Sequence, residues 1–332
     1  MRRILITGAS GCIGHYVTQA LAADPGVELV LFVRDPQKLH LDPRWRSGVT
    51  VVRGDMREIS RHADLLRRVN VAILAATGWG GPEAHEINVT RTLELLHLLD
   101  PRVCAQVLYF STASVLDRQN RPLREAAEVG TWYVRSKYEA LRRLGEVAVA
   151  DRITVLSPTL VFAAEGGKPH SFLSIDLPAF MKYVDLARFF SIDGSFHFIH
   201  ARDVAQVVHH LVHHPALGGA LCTMVLGQEA VTFDQATEQI CAALGKRIYF
   251  RLPLPLSLLN RAVPLFQRHI LPEDRAWGAF CLRYRHFTHT QLVNPSTLGL
   301  PNYCPTLVRA LQIAGLLLGG IAPDVAGQPT QP

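Results

Sequence analysis

Tyr133 stands four residues before Lys137 in the stretch TWYVRSKYEA, residues 131–140, which otherwise reads as an ordinary helix. Residues four apart share a helical face, with about 5–6 Å between their Cβ atoms. A phenol with a pKa of about 10 is a poor base at neutral pH. A neighbouring ammonium favours the phenolate, so this spacing could build a proton donor and acceptor of lowered pKa. The chain has eight tyrosines and five lysines, so one such spacing is suggestive and the rest of the chain has to decide its meaning.

A second chemical signal opens the chain. RILITGASGCIGHYV places Gly8, Gly11 and Gly14 between a short apolar run and a helical one. A tight turn and close backbone approach need residues without Cβ, and a helix N-terminus offers N–H donors to a pyrophosphate. Position after a strand and before a helix gives the glycine triplet its weight. Ser10, Cys12 and Ile13 complete this expected dinucleotide site. At the end of the second run, LFVRDPQKL carries Arg34, with Lys38 close by. Arginine there suits a ribose 2′-phosphate, so NADP(H) is expected; Asp35, one place on, is the feature that would favour NAD(H). RGDM, residues 53–56, offers Asp55, with Met56 beside it, as acceptor for the adenine amino group; the alternative is an exposed loop aspartate.

These residues need a scaffold. RILIT, ELVLFV, VTVVRGD, VAILAAT, QVLYFST and ITVLSPTLV read as buried strands, with helical segments at Ile13–Ala22, Asn88–Leu99 and Tyr133–Val149. Continuous apolar strands alternating with helices predict an α/β fold, a Rossmann-type doubly wound parallel sheet covered on both faces. The expected division is a dinucleotide-binding domain over 1–165, with 198–228 returning to it, and a smaller, mostly helical substrate lobe from 166–197 and 229–322. Residues 166–194 have loop character, and the tail, 323–332, reads as disordered.

At 332 residues the chain can bury a large core, and 48% hydrophobic with 19% charged residues describes a folded protein. The net charge of +6, mostly from arginine, suits phosphate-bearing ligands or a basic exterior, and no nucleic-acid partner is expected. Six scattered cysteines show no close spacing, which predicts reduced thiols and a cytoplasmic location. The first apolar run is too short for a secretory leader, and the apolar stretch 307–322 is short of the roughly 20 residues that span a bilayer.

The motifs TGASGCIG (7–14), GDM (54–56), INV (87–89), FSTASVL (110–116), YVRSK (133–137), SPTLVF (157–162) and FIHARDVA (198–205) run in order over some two-thirds of the chain. In this the sequence resembles the extended short-chain dehydrogenases/reductases, the NAD(P)-dependent epimerase/dehydratase family, and VRDPQK is most similar to the cofactor turn of its dihydroflavonol-reductase branch. The resemblance implies that Tyr133 is the general acid/base and that Lys137 lowers its pKa and binds the nicotinamide ribose. It also implies that Thr112, with Ser111 as alternative, polarises a substrate carbonyl. It adds Ala75, Ala76 and Asn88 to the cofactor site, although Asn88 could equally cap a helix, and it sets Pro158, Leu160 and Val161 beside the nicotinamide. The chain departs from the family after SPTLV, where VFAAEGG replaces the usual Tyr/Phe-Gly and Ser157 stands for an arginine.

Trp79 and Trp132 border either the substrate cleft or the core. HHLVHH, residues 209–214, pairs histidines at helical spacing, but no carboxylate or cysteine in the stretch completes a ligand set, so a surface-facing helix and no metal are expected. Asp203 reads as the cap of that helix. The leading expectation is an NADP(H)-dependent oxidoreductase acting on a small organic carbonyl or alcohol. The alternatives are a nucleotide-sugar epimerase or dehydratase with bound NAD, and a non-catalytic NADP-binding assembly protein. A homodimer is left open, as is peripheral membrane contact through the apolar stretch 252–266 and Arg268, Arg275, Arg283 and Arg285.

Overall fold

The alternating apolar runs build one large sheet. A computed structural model describes residues 1–40, 48–165, 167–215, 221–255 and 272–317. The tail, Arg268 and most of the stretch 252–266 lie outside the described residues. Strands β1 (Arg2–Thr7), β2 (Val27–Val33), β3 (Val49–Arg53), β4 (Val71–Leu74), β5 (Gln106–Phe110) and β6 (Ile153–Pro158) lie where their sequences predict. The sheet has eight strands in the order Leu292–Val293, Cys222–Leu226, β6, β5, β4, β1, β2, β3, and its neighbouring pairs are parallel. The strand order reverses between β1 and β4, and β1 sits at that switch with Ile4 opposite both Leu29 and Val71.

Because side chains alternate across a strand, one chain feeds two cores. Ile4, Ile6, Leu29 and Leu31 face one side, where they meet the helix α1 (Cys12–Ala22) and the helix Ala201–His213. Leu5, Val30, Phe32 and Ala72 face the other and meet the helix Thr92–Leu98 and the helix Trp132–Arg143 through Ala140. Each fully buried Leu or Ile contributes about 1.5–3 kcal/mol relative to exposure, which makes the sheet the rigid part of the molecule.

Three features differ from the sequence reading. Residues 166–194 are not simply loop: helices form at Phe172–Met181 and Val184–Ala187. Pro178 sits inside the first and masks its pattern, while Leu173 and Met181 pack against a third core around Phe162, Phe198 and Leu311. The outermost strand of the large sheet, Leu292–Val293, comes from the segment expected to form the smaller lobe. It is two residues long, too short to show a period. Asp203 does not cap the helix Ala201–His213. His200 does, Nδ1 accepting from the Arg202 N–H at 3.1 Å. Asp203 is buried and accepts the backbone N–H groups of Tyr303 (2.6 Å) and Cys304 (3.0 Å), tying the chain's late loop to the helix Ala201–His213.

That anchor makes a stability prediction. Removing a buried acceptor leaves its donors unsatisfied at about 1–3 kcal/mol each. Asp203→Ala should therefore lower unfolding stability in urea by about 2–4 kcal/mol, and Asp203→Asn, which keeps one acceptor oxygen, by about half as much. A wild-type urea midpoint for Asp203→Ala would refute the anchoring role.

Candidate active site

Three glycines shape the turn between β1 and α1, each for a different reason. Gly8 has φ +70°, and a Cβ there would lie 2.6 Å from Ala76 N and 2.8 Å from Ala75 O, so the end of β4 presses directly on the turn. A Cβ on Gly14 would lie 2.1 Å from Gly8 O, so this glycine is required by the turn's own packing. At Gly11 a Cβ would meet only Gly8 O, at 3.2 Å. The protein itself leaves open the space that a side chain at Gly11 would fill. Gly11 is also the N-cap of α1, no side chain caps that helix, and no acidic residue lies in its first turn. The positive end of an 11-residue helix thus faces this open cradle, which fits a pyrophosphate. Ser10, Cys12 and Ile13 line the same turn, and burial pushes the Cys12 thiol up to about 12, which keeps it uncharged.

At the far end of the cradle Arg34 is 70% exposed in its side chain, with Nη1 3.8 Å from Glu83 Oε1. Lys38 is exposed on the following turn. Asp35 closes that turn, its Oδ1 accepting from Gln37 N at 3.0 Å. Asp55 is similarly engaged, Oδ1 accepting from Arg57 N at 2.9 Å and Oδ2 lying 3.6 Å from Arg57 Nη1, while Met56 is buried beside it. Arg57, which the sequence reading passed over, bonds Glu83 at 2.6 Å and approaches Glu86 at 3.6 Å. Its signal was only a lone basic residue after β3, with nothing local to mark it.

The opening pair lies at the C-terminal edge of the sheet. Thr131 caps its helix by accepting from Val134 N at 3.2 Å, which sets Tyr133 in the first turn and Lys137 one turn later. Lys137 is 2% exposed, donates from Nζ to Phe110 O at 2.8 Å and lies 5.1 Å from the Tyr109 ring. Burial pulls its pKa down to about 7. Tyr133 differs from expectation: burial pushes the phenol up to about 12, and the opposing influence is its hydrogen bond with Thr112, not Lys137. A cation acts strongly only while charged, and a lysine desolvated to this degree is half neutral near pH 7. Thr112 also caps the turn Ala113–Val115, accepting from Ser114 N at 3.3 Å. Of the two candidate hydroxyls, Thr112 reaches Tyr133; the Ser111 Oγ is buried with no hydrogen-bond partner.

Asn88 does not cap a helix. It is fully buried in a π-helical turn, Glu86–Arg91. Its Oδ1 accepts from Thr77 Oγ1 and Gly78 N, both at 2.9 Å, and its Nδ2 donates to Gly78 O (2.8 Å) and Ser136 Oγ (2.9 Å). Ser136 in turn donates to Tyr133 O at 2.9 Å. Trp79, next to Gly78, stacks on Tyr133 with ring centroids 4.6 Å apart and planes 22° from parallel. It is 64% exposed, so the core reading of Trp79 is wrong. Trp132 is half-buried, with the Arg135 guanidinium 5.4 Å from its ring. Pro158 is buried at the end of β6, and Val161 and the more exposed Leu160 form the short strand Leu160–Phe162 beside Phe198–His200. The helix Pro272–Tyr284 brings Trp277, Phe280 and Tyr284 against the apolar cluster that also holds Ala113, Val134 and Tyr133.

The histidine helix gains a carboxylate that the local sequence did not reveal. Ligand atoms of Asp24, His209 and His213 lie within 4.8 Å of one another. The Arg2 guanidinium, however, sits 3.0 Å from His213 Nδ1, so that nitrogen accepts and Nε2 carries the proton that faces Asp24 at 2.5 Å. The cluster is a hydrogen-bonded ion-pair network. Of the basic residues weighed for membrane contact, Arg285 is held by Asp193 at 2.9 Å, and Arg275 and Arg283 are exposed. Among the described residues no helix is long and apolar enough to cross a membrane.

Sheet order, glycine cradle and the Thr112–Tyr133–Lys137 constellation together define a Rossmann-type enzyme of the extended short-chain dehydrogenase/reductase class. The family model described as the NAD dependent epimerase/dehydratase family matches residues 4–227, and the chain belongs to that family. No curated protein matches the sequence. Among solved structures, a protein designated gox2253 is 20% identical with a TM-score of 0.65, over 95% of this chain and 96% of that one. A UDP-glucuronic acid 4-epimerase from Bacillus cereus, in complex with a fluorinated UDP-glucuronic acid and NAD, is 17% identical with a TM-score of 0.58, over 94% and 96%. A UDP-N-acetylglucosamine 4-epimerase from Methanobrevibacter ruminantium M1 is 16% identical with a TM-score of 0.55, over 76% and 85%. At such identities the likeness is one of fold.

The glycines separate cradle from scaffold. Gly14→Ala should destabilise the protein by about 1–3 kcal/mol in chemical denaturation, the usual cost of forced overpacking. Gly11→Ala should fold with near wild-type stability and lose dinucleotide affinity in calorimetry. Unchanged affinity in Gly11→Ala would mean that the open space is not a phosphate site.

Proposed function

We propose that the protein is an NADP(H)-dependent oxidoreductase that interconverts a carbonyl and an alcohol on a small organic substrate. The observation that carries this reading is the Tyr133 phenol, hydrogen-bonded to Thr112 and placed one helical turn from a buried lysine. A bound nicotinamide dinucleotide would give or accept hydride. The chain's own groups do the rest. Tyr133, protonated at neutral pH, gives its proton to the oxygen of a carbonyl being reduced, and takes it back in the reverse direction. Thr112 orients that oxygen, and Lys137 offers an ammonium to a ribose hydroxyl. The exposed Arg34 and Lys38 would take the 2′-phosphate, while Asp35 is occupied in its own turn. We place the dinucleotide domain in 1–165 with the return at 198–228, and a substrate lobe in 166–197 and 229–322.

A second reading has direct support from the comparisons, which weigh toward it: a nucleotide-sugar epimerase or dehydratase that retains NAD. The family is described as NAD-dependent, and similar folds have been solved in complex with a UDP-sugar, in one case together with NAD. The first reading rests on the cation pair after β2 and on the departures after Pro158.

Cofactor choice decides between the two. A charge-assisted contact is worth about 1.5–3 kcal/mol, so NADPH should bind roughly ten- to a hundredfold more tightly than NADH, and Arg34→Ala should abolish the difference. Calorimetry giving equal or better NADH affinity, or NAD retained through purification, would favour the second reading.

The proton step has its own signature. Burial raises the Tyr133 pKa, so the phenolate that alcohol oxidation needs becomes more abundant as pH rises. Oxidative kcat/KM should climb about tenfold per pH unit between roughly pH 7 and 10, without a plateau. Tyr133→Phe should lower turnover by about 10²–10⁴ and remove that slope while leaving dinucleotide affinity nearly intact. A plateau already at neutral pH would show a phenol of lowered pKa instead.

A further inference from the structure

Trp79 is a large apolar side chain left mostly in solvent beside the proton donor, and the backbone around it is built for that position. One face of the indole lies on the Tyr133 ring at 4.6 Å. On its N-terminal side the loop is fixed: both backbone groups of Gly78 are bonded to Asn88, and a Cβ on Gly78 would lie 2.9 Å from Ala84 Cα. The same Asn88 amide reaches Tyr133 through Ser136. One buried side chain therefore sets the indole and the phenol relative to each other. On the C-terminal side the loop is open. Gly80 and Gly81 have no atom within 4 Å of where a Cβ would be, and Gly81 holds φ +59°, a conformation that favours glycine.

We infer that Trp79 is the specificity-determining residue of the site, an aromatic wall against which a flat, apolar substrate packs while the substrate's carbonyl oxygen meets Tyr133. Stacking of aromatic rings adds to the gain from burying their area, and an exposed indole has most of that gain still to make. The neighbouring chemistry agrees. Trp277 stacks on Phe280 at 5.2 Å and Phe280 on Tyr284 at 5.1 Å, and this row packs into the apolar cluster that Tyr133 borders. Aromatic side chains this close to Tyr133 favour an aryl or conjugated carbonyl over a small aliphatic one. The inference rests on the oxidoreductase reading for the identity of the reacting group, but the aromatic wall itself can be tested without turnover.

Benzaldehyde and propanal are titrated calorimetrically into the enzyme loaded with NADP+, which has no hydride to give, using wild type, Trp79→Phe and Trp79→Ala. The expected result is benzaldehyde binding weakened about tenfold in Trp79→Ala and less than about threefold in Trp79→Phe, a range set by aromatic stacking. Propanal binding, NADPH affinity and Tm should be unchanged in both variants. Equal benzaldehyde affinity in all three proteins, no benzaldehyde binding to wild type, or a parallel loss for benzaldehyde and propanal overturns the inference. Trp79-dependent binding of benzaldehyde by a wild-type enzyme that fails to reduce it with NADPH supports the aromatic wall and counts against the oxidoreductase reading.

Discussion

The Asn88 side chain has two N–H donors and one carbonyl oxygen, and it uses all of them inside the protein. An unpaired amide in this position would lose its hydration without compensation, so the groups around it have one arrangement that satisfies every bond. That arrangement joins the loop after β4 to the helix of Tyr133 and Lys137, two segments far apart in sequence. The π-helical turn that carries Asn88 aims the amide between them. The loop of Trp79 and the helix of Tyr133 take their relative positions from this junction.

Against that geometry the electrostatics of the catalytic pair run opposite to the simplest expectation. Desolvation disfavours charge on both partners, lowering Lys137 to about 7 and raising Tyr133 to about 12. Both shifts run toward the neutral form, which leaves a protonated phenol at neutral pH and a lysine that gives up its proton more readily than one in water. A protonated phenol is the right state for carbonyl reduction. Lys137 donates to the backbone carbonyl at the end of β5, which fixes its head at the sheet edge where a ribose would have to lie.

Around Arg34 the surface carries a small charge network. Glu83 is shared by Arg34 at 3.8 Å and Arg57 at 2.6 Å, and it belongs to the short helix that follows Trp79. These groups are exposed, so each pair is worth little by itself. Their consequence is positional: the loop carrying the indole and the strand end carrying Arg34 are tied by the same carboxylate.

What the sequence by itself determined is whatever depends on local period and local sterics. The strands β1 to β6 were legible because a buried parallel strand must be continuously apolar, and Gly8 and Gly14 because only a residue without Cβ fits their turn. Tyr133 and Lys137 were legible because helical spacing puts them on one face. Tertiary structure decided everything that depends on a partner distant in the chain. Asn88 was legible as a residue but its bonds were not, since Gly78 and Ser136 meet it only after folding. Asp203 turned out to hold residues a hundred positions away, and Asp24 reached the histidine helix across the sheet's edge. The direction of the Tyr133 and Lys137 shifts followed from burial, which spacing does not contain. The exposed stack of Trp79 on Tyr133 was likewise invisible in sequence, because a tryptophan in a core and one on a cleft wall are the same letter until their surroundings exist.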